Sequence, residues 1–231
     1  GMADLALLYD SDMFTAAWAR LADTVRTGVT AFEVAHGTDV FDHLVRNPED
    51  AARYTAGIAA GGRFSTVIPD VHDFTGARRI VDPGAPEAHG VLVERPPALA
   101  AAELRLGPLV DAGRCELVEG DFLRGVPRGA DVYLLSRILH NWSDQDARTV
   151  LRHCREAMPP DGRVLIAERV LPDEDPPWLS TFLDAHMMVM TTGAERTEDE
   201  YEKLLRSAGL TTHHILDLPL EMRLLVAGPC T

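Results

Sequence analysis

The chain is poor in lysine: Lys203 is the sole one, and every other strongly basic residue is arginine. Together with abundant alanine, this points to a GC-rich bacterial genome. Positive charge is scarce altogether, with 22 Lys and Arg against 36 Asp and Glu and a formal net charge of −14. That balance argues against nucleic acid or an anionic membrane surface as partner, since both carry negative charge themselves. Cysteine is equally thin. Cys115, Cys154 and Cys230 are odd in number and show no metal or redox spacing, which suits a reducing cytoplasm. No apolar run approaches a membrane span, no signal peptide is visible, and there is no repeat or low-complexity tract. The nine histidines show no convincing ligand spacing, so no metal is expected.

What is present suits one α/β domain with extra helices: 231 residues, of which 46% are apolar. Residues 5–60 read as helices, with Phe14, Trp18, Leu21, Ala22 and Val25 at helical spacing and packing as the expected role of most aromatics. Strands then alternate with helices. Apolar runs at 79–82, 90–94, 115–119, 131–135 and 163–168 read as strands, and 211–218 with 222–227 reads as a hairpin around Pro219. A helix is expected over 97–106, stopped by Gly107 and Pro108. This alternation predicts a doubly wound, mostly parallel sheet.

Residues 131–168 organise the rest. A continuous apolar run, of the kind buried on both faces of a parallel sheet, leads into a loop carrying His140 and Trp142. Ser143 and Asp146 form a near capping box for a helix with Ala147, Val150, Leu151, Cys154 and Met158 on one stripe. Open α/β sheets bind ligands beyond the carboxyl ends of their strands, where His140 and Trp142 stand. By itself His140 reads as a solvated loop histidine, and Glu94, Glu168 and Glu195 as surface or salt-bridged acids. Residues 176–193 read as a helix with Leu179, Phe182, Leu183, His186, Met187 and Met190 along one side. A further helix opens on a Thr197–Glu200 capping box.

The string L-S-R-I-L-H-N-W-S-D-Q-D-A, residues 135–147, closely resembles the signature of S-adenosylmethionine-dependent O-methyltransferases of the plant caffeate and bacterial polyketide type. The resemblance runs from about Leu5 to Gly228. It implies a Rossmann-like class I methyltransferase sheet with a final antiparallel hairpin, spanning residues 71–231 and preceded by a helical linker or dimerisation remnant over 1–70. It further implies methyl transfer from S-adenosylmethionine, leaving S-adenosylhomocysteine, to a hydroxyl of an aromatic or polyketide-like small molecule, without a metal and in a homodimer. His140 matches the family's general base, and Glu195 and Glu168 match the two acids that flank it. Glu94 matches the acceptor for the ribose hydroxyls, Asp121 and Phe122 the acid and aromatic at the adenine. Ser136 stands where relatives carry Lys or Ser beside the cofactor, and Trp142 would close its adenine side. His186, Met187 and Met190 would wall the acceptor pocket.

One departure stands out. Relatives continue from the first strand as V-D-V-G-G-G-x-G, whereas here Asp82, matching that aspartate at the cofactor, is followed by P-G-A-P-E-A-H and then the second strand. Parallel neighbours normally need a dozen or more connecting residues, usually including a helix. Either about fifteen residues of the natural chain are absent here, an estimate from usual crossover lengths, or the protein lacks them and binds cofactor poorly. The resemblance on both sides favours the first. The second leaves open a scaffold without catalysis, or a fold turned to hydroxylation or decarboxylation.

Overall fold

The computed structural model describes residues 2–81 and 88–230, apart from the side chains of Arg63 and Pro97. Six helices come first: α1 Met2–Tyr9, α2 Asp12–Trp18, α3 Leu21–Thr27, α4 Ala31–His36, α5 Val40–Arg46 and α6 Pro48–Gly61. Their limits follow local chemistry. The side chains of Ser11, Thr30 and Asp39 accept backbone N–H bonds at the starts of α2, α4 and α5. Gly28 and Gly37 end α3 and α4 in the left-handed region, at φ 75° and 72°, which a residue with a Cβ rarely adopts. A 3-10 turn, Gly62–Val67, and the short α7 Ile68–Val71 lead into the sheet.

The strands are β1 Arg79–Val81, β2 His89–Glu94, β3 Cys115–Glu119, β4 Val132–Ser136, β5 Arg163–Leu171, β6 Arg196–Thr197, β7 Leu210–Leu218 and β8 Met222–Pro229. They lie in the order β3-β2-β1-β4-β5-β8-β7, with the two-residue β6 paired to β5. Pairing is parallel from β3 through β5, and β8 runs antiparallel to both β5 and β7. This is the expected doubly wound sheet, and the strand order reverses between β1 and β4. Helices α8 Pro96–Asp111, α9 Asp144–Ala157, α10 Trp178–Met190 and α11 Glu198–Ser207 connect the strands. β1 and β2 pair in parallel register, Ile80 opposite Gly90. Asp82, expected at the cofactor, lies outside the described residues, as do residues 83–87.

Alternate residues of the central strands feed two different cores. Tyr133, Leu135, Val164 and Ile166 meet α9 and α11 on one face. Val132, Leu134, Leu165 and Ala167 meet Phe64 and Ile68 on the other. Both faces are covered, which is why β4 reads as an unbroken apolar run. A third cluster joins α1, α2 and α4–α6 to Val189 and Met190 of α10, so the early helices pack over the sheet's ligand-binding end.

One local reading needs correction, and two details of the sheet have no signature in the sequence. α8 does not stop at Gly107; it continues through Pro108 to Asp111. Pro108 removes the amide that would bond the carbonyl of Leu104, but Leu104 is 88% exposed and water can satisfy that oxygen. β6 has no periodic signature at two residues. And β7 carries a register shift between Thr212 and His214, so His213 and His214 do not follow simple strand alternation.

Candidate active site

The chain leaves β4 at Ser136, turns at Arg137 with φ 55°, and enters a 3-10 turn, Leu139–Asn141, that carries His140. Buried charges fix that turn from below. Glu168 on β5 is wholly buried, and its Oε1 accepts the amides of Leu139 at 2.8 Å and His140 at 3.4 Å. Arg196 on β6 donates to the carbonyls of Leu139 at 2.9 Å and Trp142 at 2.8 Å, and pairs with Asp144 at 2.8 Å. The turn is therefore held by its backbone, leaving the imidazole free to be aimed by side chains.

Two carboxylates aim it. His140 Nδ1 lies 3.1 Å from Glu195 Oε1 and 3.7 Å from Glu168 Oε2. An ionised carboxylate only accepts, so Nδ1 carries the proton in that bond and Nε2 remains for a ligand. Burial works against a charged imidazole, but Glu168 and then Glu195 outweigh it and raise the His140 pKa above its ordinary value. Glu168 is itself raised, by burial first, with His140 and the two amides pulling the other way. Among the described residues, the remaining oxygens, Glu168 Oε2 and Glu195 Oε2, are buried without hydrogen-bond partners. One polar atom from each of the three side chains lies within 4.8 Å of the others, so each carboxylate acts on the imidazole at short range.

Two cavities meet beside this trio. The larger, about 430 Å³, is lined by His140, Glu195, His186, Met187 and Met190 together with aromatics of the early helices. The smaller, about 350 Å³, is lined by Glu94, Asp121, Phe122, Ser136 and Trp142. Tyr54, Ile58, Arg137 and Asn141 line both. Of the candidate site residues read from the sequence, Asp82 is outside the described residues, Glu168 lies buried behind the imidazole and lines neither cavity, and the others line one or the other.

The smaller cavity fits an adenosyl group by its chemistry. Burial raises the pKa of Glu94, the partly buried acid at the end of β2, so its carboxylate gains from hydroxyl donors. Flat faces line the same cavity: Trp142 stacks on Phe41 at 5.2 Å, and Phe122 meets Trp142 edge-on at 5.8 Å. In the larger cavity His186 is less a free donor than part of a wall. Its Nδ1 accepts from Trp18 Nε1 at 3.2 Å, it stacks with Trp18 and Phe182, and burial lowers its pKa to about 4. Met187 and Met190 are buried beside it.

A sequence model of the O-methyltransferase domain matches residues 18–211. The chain belongs to the O-methyltransferase domain family. It is 39% identical over 240 residues to the 3-amino-4-hydroxybenzoate 4-O-methyltransferase of Streptomyces cremeus, covering 98% of this chain and 66% of that protein. It therefore spans about two thirds of that relative's length. Among solved structures, the mitomycin 7-O-methyltransferase superposes with a TM-score of 0.93 at 31% identity, over 99% of this chain and 72% of that one. An O-methyltransferase from neocarzinostatin biosynthesis, solved with S-adenosylmethionine and 2-hydroxy-5-methyl naphthoic acid, superposes with a TM-score of 0.84 at 25% identity. It covers 93% of this chain and 68% of that one. S-adenosylmethionine is the family's methyl donor, and the class I methyltransferase sheet described above is its fold.

Several features of this O-methyltransferase's site carry no signal in the sequence. Trp18 and His186 are 168 positions apart, and nothing local to either announces the bond between them. Phe41, Tyr54 and Arg196 likewise sit in ordinary helical or strand-edge patterns. Arg137 lies inside the family-like string, but nothing in the string distinguishes it from a surface arginine.

Proposed function

We propose that this O-methyltransferase moves the methyl group of S-adenosylmethionine to a hydroxyl of an aromatic or polyketide-like acceptor, with His140 as general base. The observation that carries this reading is the placement of one imidazole at the meeting of two cavities, its Nδ1 engaged by buried carboxylates and its ring facing the larger cavity. When bound in the smaller cavity, S-adenosylmethionine supplies an electrophilic sulfonium methyl. Glu94 would take the ribose hydroxyls, Asp121 and Phe122 the adenine, with Ser136 and Trp142 completing that wall. The larger cavity holds the acceptor against Met187, Met190 and the His186 aromatic wall. His140 Nε2 accepts the hydroxyl proton as the oxygen attacks, and Glu195 and Glu168 stabilise the imidazolium that forms. A phenol of pKa about 10 is mostly protonated at neutral pH, so such a base is worth about 10²–10⁴ in rate.

Residues 1–70 serve in this reading as the helical wall over the acceptor and as a linker, and 71–231 as the transfer domain, in a homodimer. Among the described residues no helix is long and apolar enough to cross a membrane. The cysteine usage supports a cytoplasmic location in this reading.

The pH dependence of methyl transfer, followed by the mass of the methylated product, tests the roles of the trio. A base must be neutral to act, so the rate rises with pH through an inflection set by His140. The carboxylates place that inflection above the ordinary histidine value. Glu195→Gln removes one of the raising influences while keeping the side chain's shape, so the inflection moves to lower pH. An unmoved inflection would separate Glu195 from the titrating group. A product that has gained oxygen or lost carbon dioxide, rather than gained a methyl group, would turn the reading towards hydroxylation or decarboxylation.

A further inference from the structure

Methyl transfer to a neutral phenol leaves Arg137 unexplained. Its guanidinium lies on the wall shared by both cavities. One nitrogen, Nη2, donates to the carbonyl of Ile58 at 3.0 Å, and Cζ sits 5.5 Å over the Phe64 ring. Room for the group comes from a glycine pair. A Cβ on Gly62 would come within 3.0 Å of Nη2, and one on Gly61 within 3.6 Å of Nη1. The residue is also held at φ 55°, a conformation an arginine adopts only where its surroundings impose it.

The charge itself is left open. Among the described residues no carboxylate lies within ion-pair distance of Arg137, and its Nε is buried without a hydrogen-bond partner. The contrast with its neighbours is direct: Arg169, in the same cavity, pairs with Glu221 at 2.8 Å, and Arg196 pairs with Asp144. Glu168 acts on Arg137 only at a distance and is committed to the Leu139 amide and to His140. Burial lowers the Arg137 pKa, the direction expected of a cation that has lost water without gaining a partner. A planar fork of donors in a largely apolar cavity is best matched by a carboxylate, which can accept two parallel bonds from it. The chain's net charge of −14 would otherwise discourage an anion from entering.

We propose that Arg137 receives a carboxylate at the junction of the two cavities, and that this carboxylate belongs to the acceptor, making the acceptor an aromatic hydroxy acid. The inference rests on the larger cavity being the acceptor site. The amino-acid end of the cofactor carries a carboxylate too, so the test must tell the two sources apart.

The experiment is a set of calorimetric titrations, which needs no turnover. The probes are 3-amino-4-hydroxybenzoic acid and 1-hydroxy-2-naphthoic acid, each compared with its methyl ester in the presence of S-adenosylhomocysteine. The wild type should bind the acids about tenfold or more tightly than the esters, the scale of a charge-assisted bond. Arg137→Gln should abolish that preference with ester affinity little changed, and Arg137→Lys should keep part of it. S-adenosylhomocysteine affinity should be unaltered in both variants. If instead S-adenosylhomocysteine weakens while methylthioadenosine, which lacks the amino-acid carboxylate, does not, the group belongs to the cofactor and the acceptor assignment is overturned. Equal weakening of acid and ester would mark a packing role and overturn it as well. So would a wild type that shows no preference for the acids, even if that protein methylates neutral phenols, an outcome that would leave methyl transfer itself standing.

Discussion

Replacing His140 by alanine is expected to lower the methyl-transfer rate by about 10²–10⁴-fold while S-adenosylhomocysteine affinity changes little. The two effects separate because His140 lines the larger cavity and not the smaller one. Its backbone is held independently of its side chain: the Glu168 carboxylate binds the amides of Leu139 and His140, and the Arg196 guanidinium binds the carbonyls of Leu139 and Trp142. Removing the imidazole should therefore leave the turn, and Trp142 on the cofactor side, in place. Single-turnover rates with saturating cofactor, set beside calorimetric titration of S-adenosylhomocysteine, check both halves. A rate within a small factor of wild type would remove His140 from the proton transfer.

Gly193→Ala is the second large effect, and it acts through shape alone. A Cβ on Gly193 would run into the His140 carbonyl oxygen and the backbone of Asn141 and Trp142. These are main-chain atoms of the catalytic turn, so no flexible side chain can yield. The turn itself is pinned by buried ion and amide bonds, so relief must come from moving His140, Glu195 or both. Overpacking of this kind costs about 1–3 kcal/mol of stability, and a displacement near 1 Å at reacting groups costs about a hundredfold in turnover. Thermal unfolding and kcat measured together test this. Gly107→Ala is the matched control, because among the described residues nothing lies within 4 Å of a Cβ at that helical position. It should be neutral or mildly stabilising, since alanine is the better helix former. A Gly193→Ala enzyme with wild-type kcat would show that the turn is not held where this contact puts it.

These two positions also show how far the residues speak for themselves. β4 is legible because both its faces are covered, and a run such as V-Y-L-L has no other comfortable environment than a buried parallel strand. Caps at Ser143 and Thr197 are legible because the bonds involved are local. The end of α8 was not, since a proline against an exposed carbonyl costs a surface helix little. His140, Glu168 and Glu195 come from three separate segments, and no spacing rule joins them; resemblance to the O-methyltransferases did. Gly193 and Arg137 lay beyond even that. The demand on Gly193 comes from a backbone more than fifty positions earlier, and the interest of Arg137 lies in a partner it lacks. The early aromatics, read as packing, do pack, yet Tyr9, Phe14 and Tyr54 also face the larger cavity. A helix that closes over a ligand uses one stripe for both purposes.

The claim on which the account turns is that His140 takes the acceptor's proton during methyl transfer. The acidity of the acceptor tests it most directly. Single-turnover rates are to be compared for wild type and His140→Ala across a series of similarly shaped phenols whose hydroxyls grow steadily more acidic. A base matters less as its substrate sheds the proton unaided, so the penalty for losing His140 should shrink along the series and approach nothing for the most acidic member. A penalty that stays the same across the series would mean that His140 places the acceptor without taking its proton, and would contradict the account.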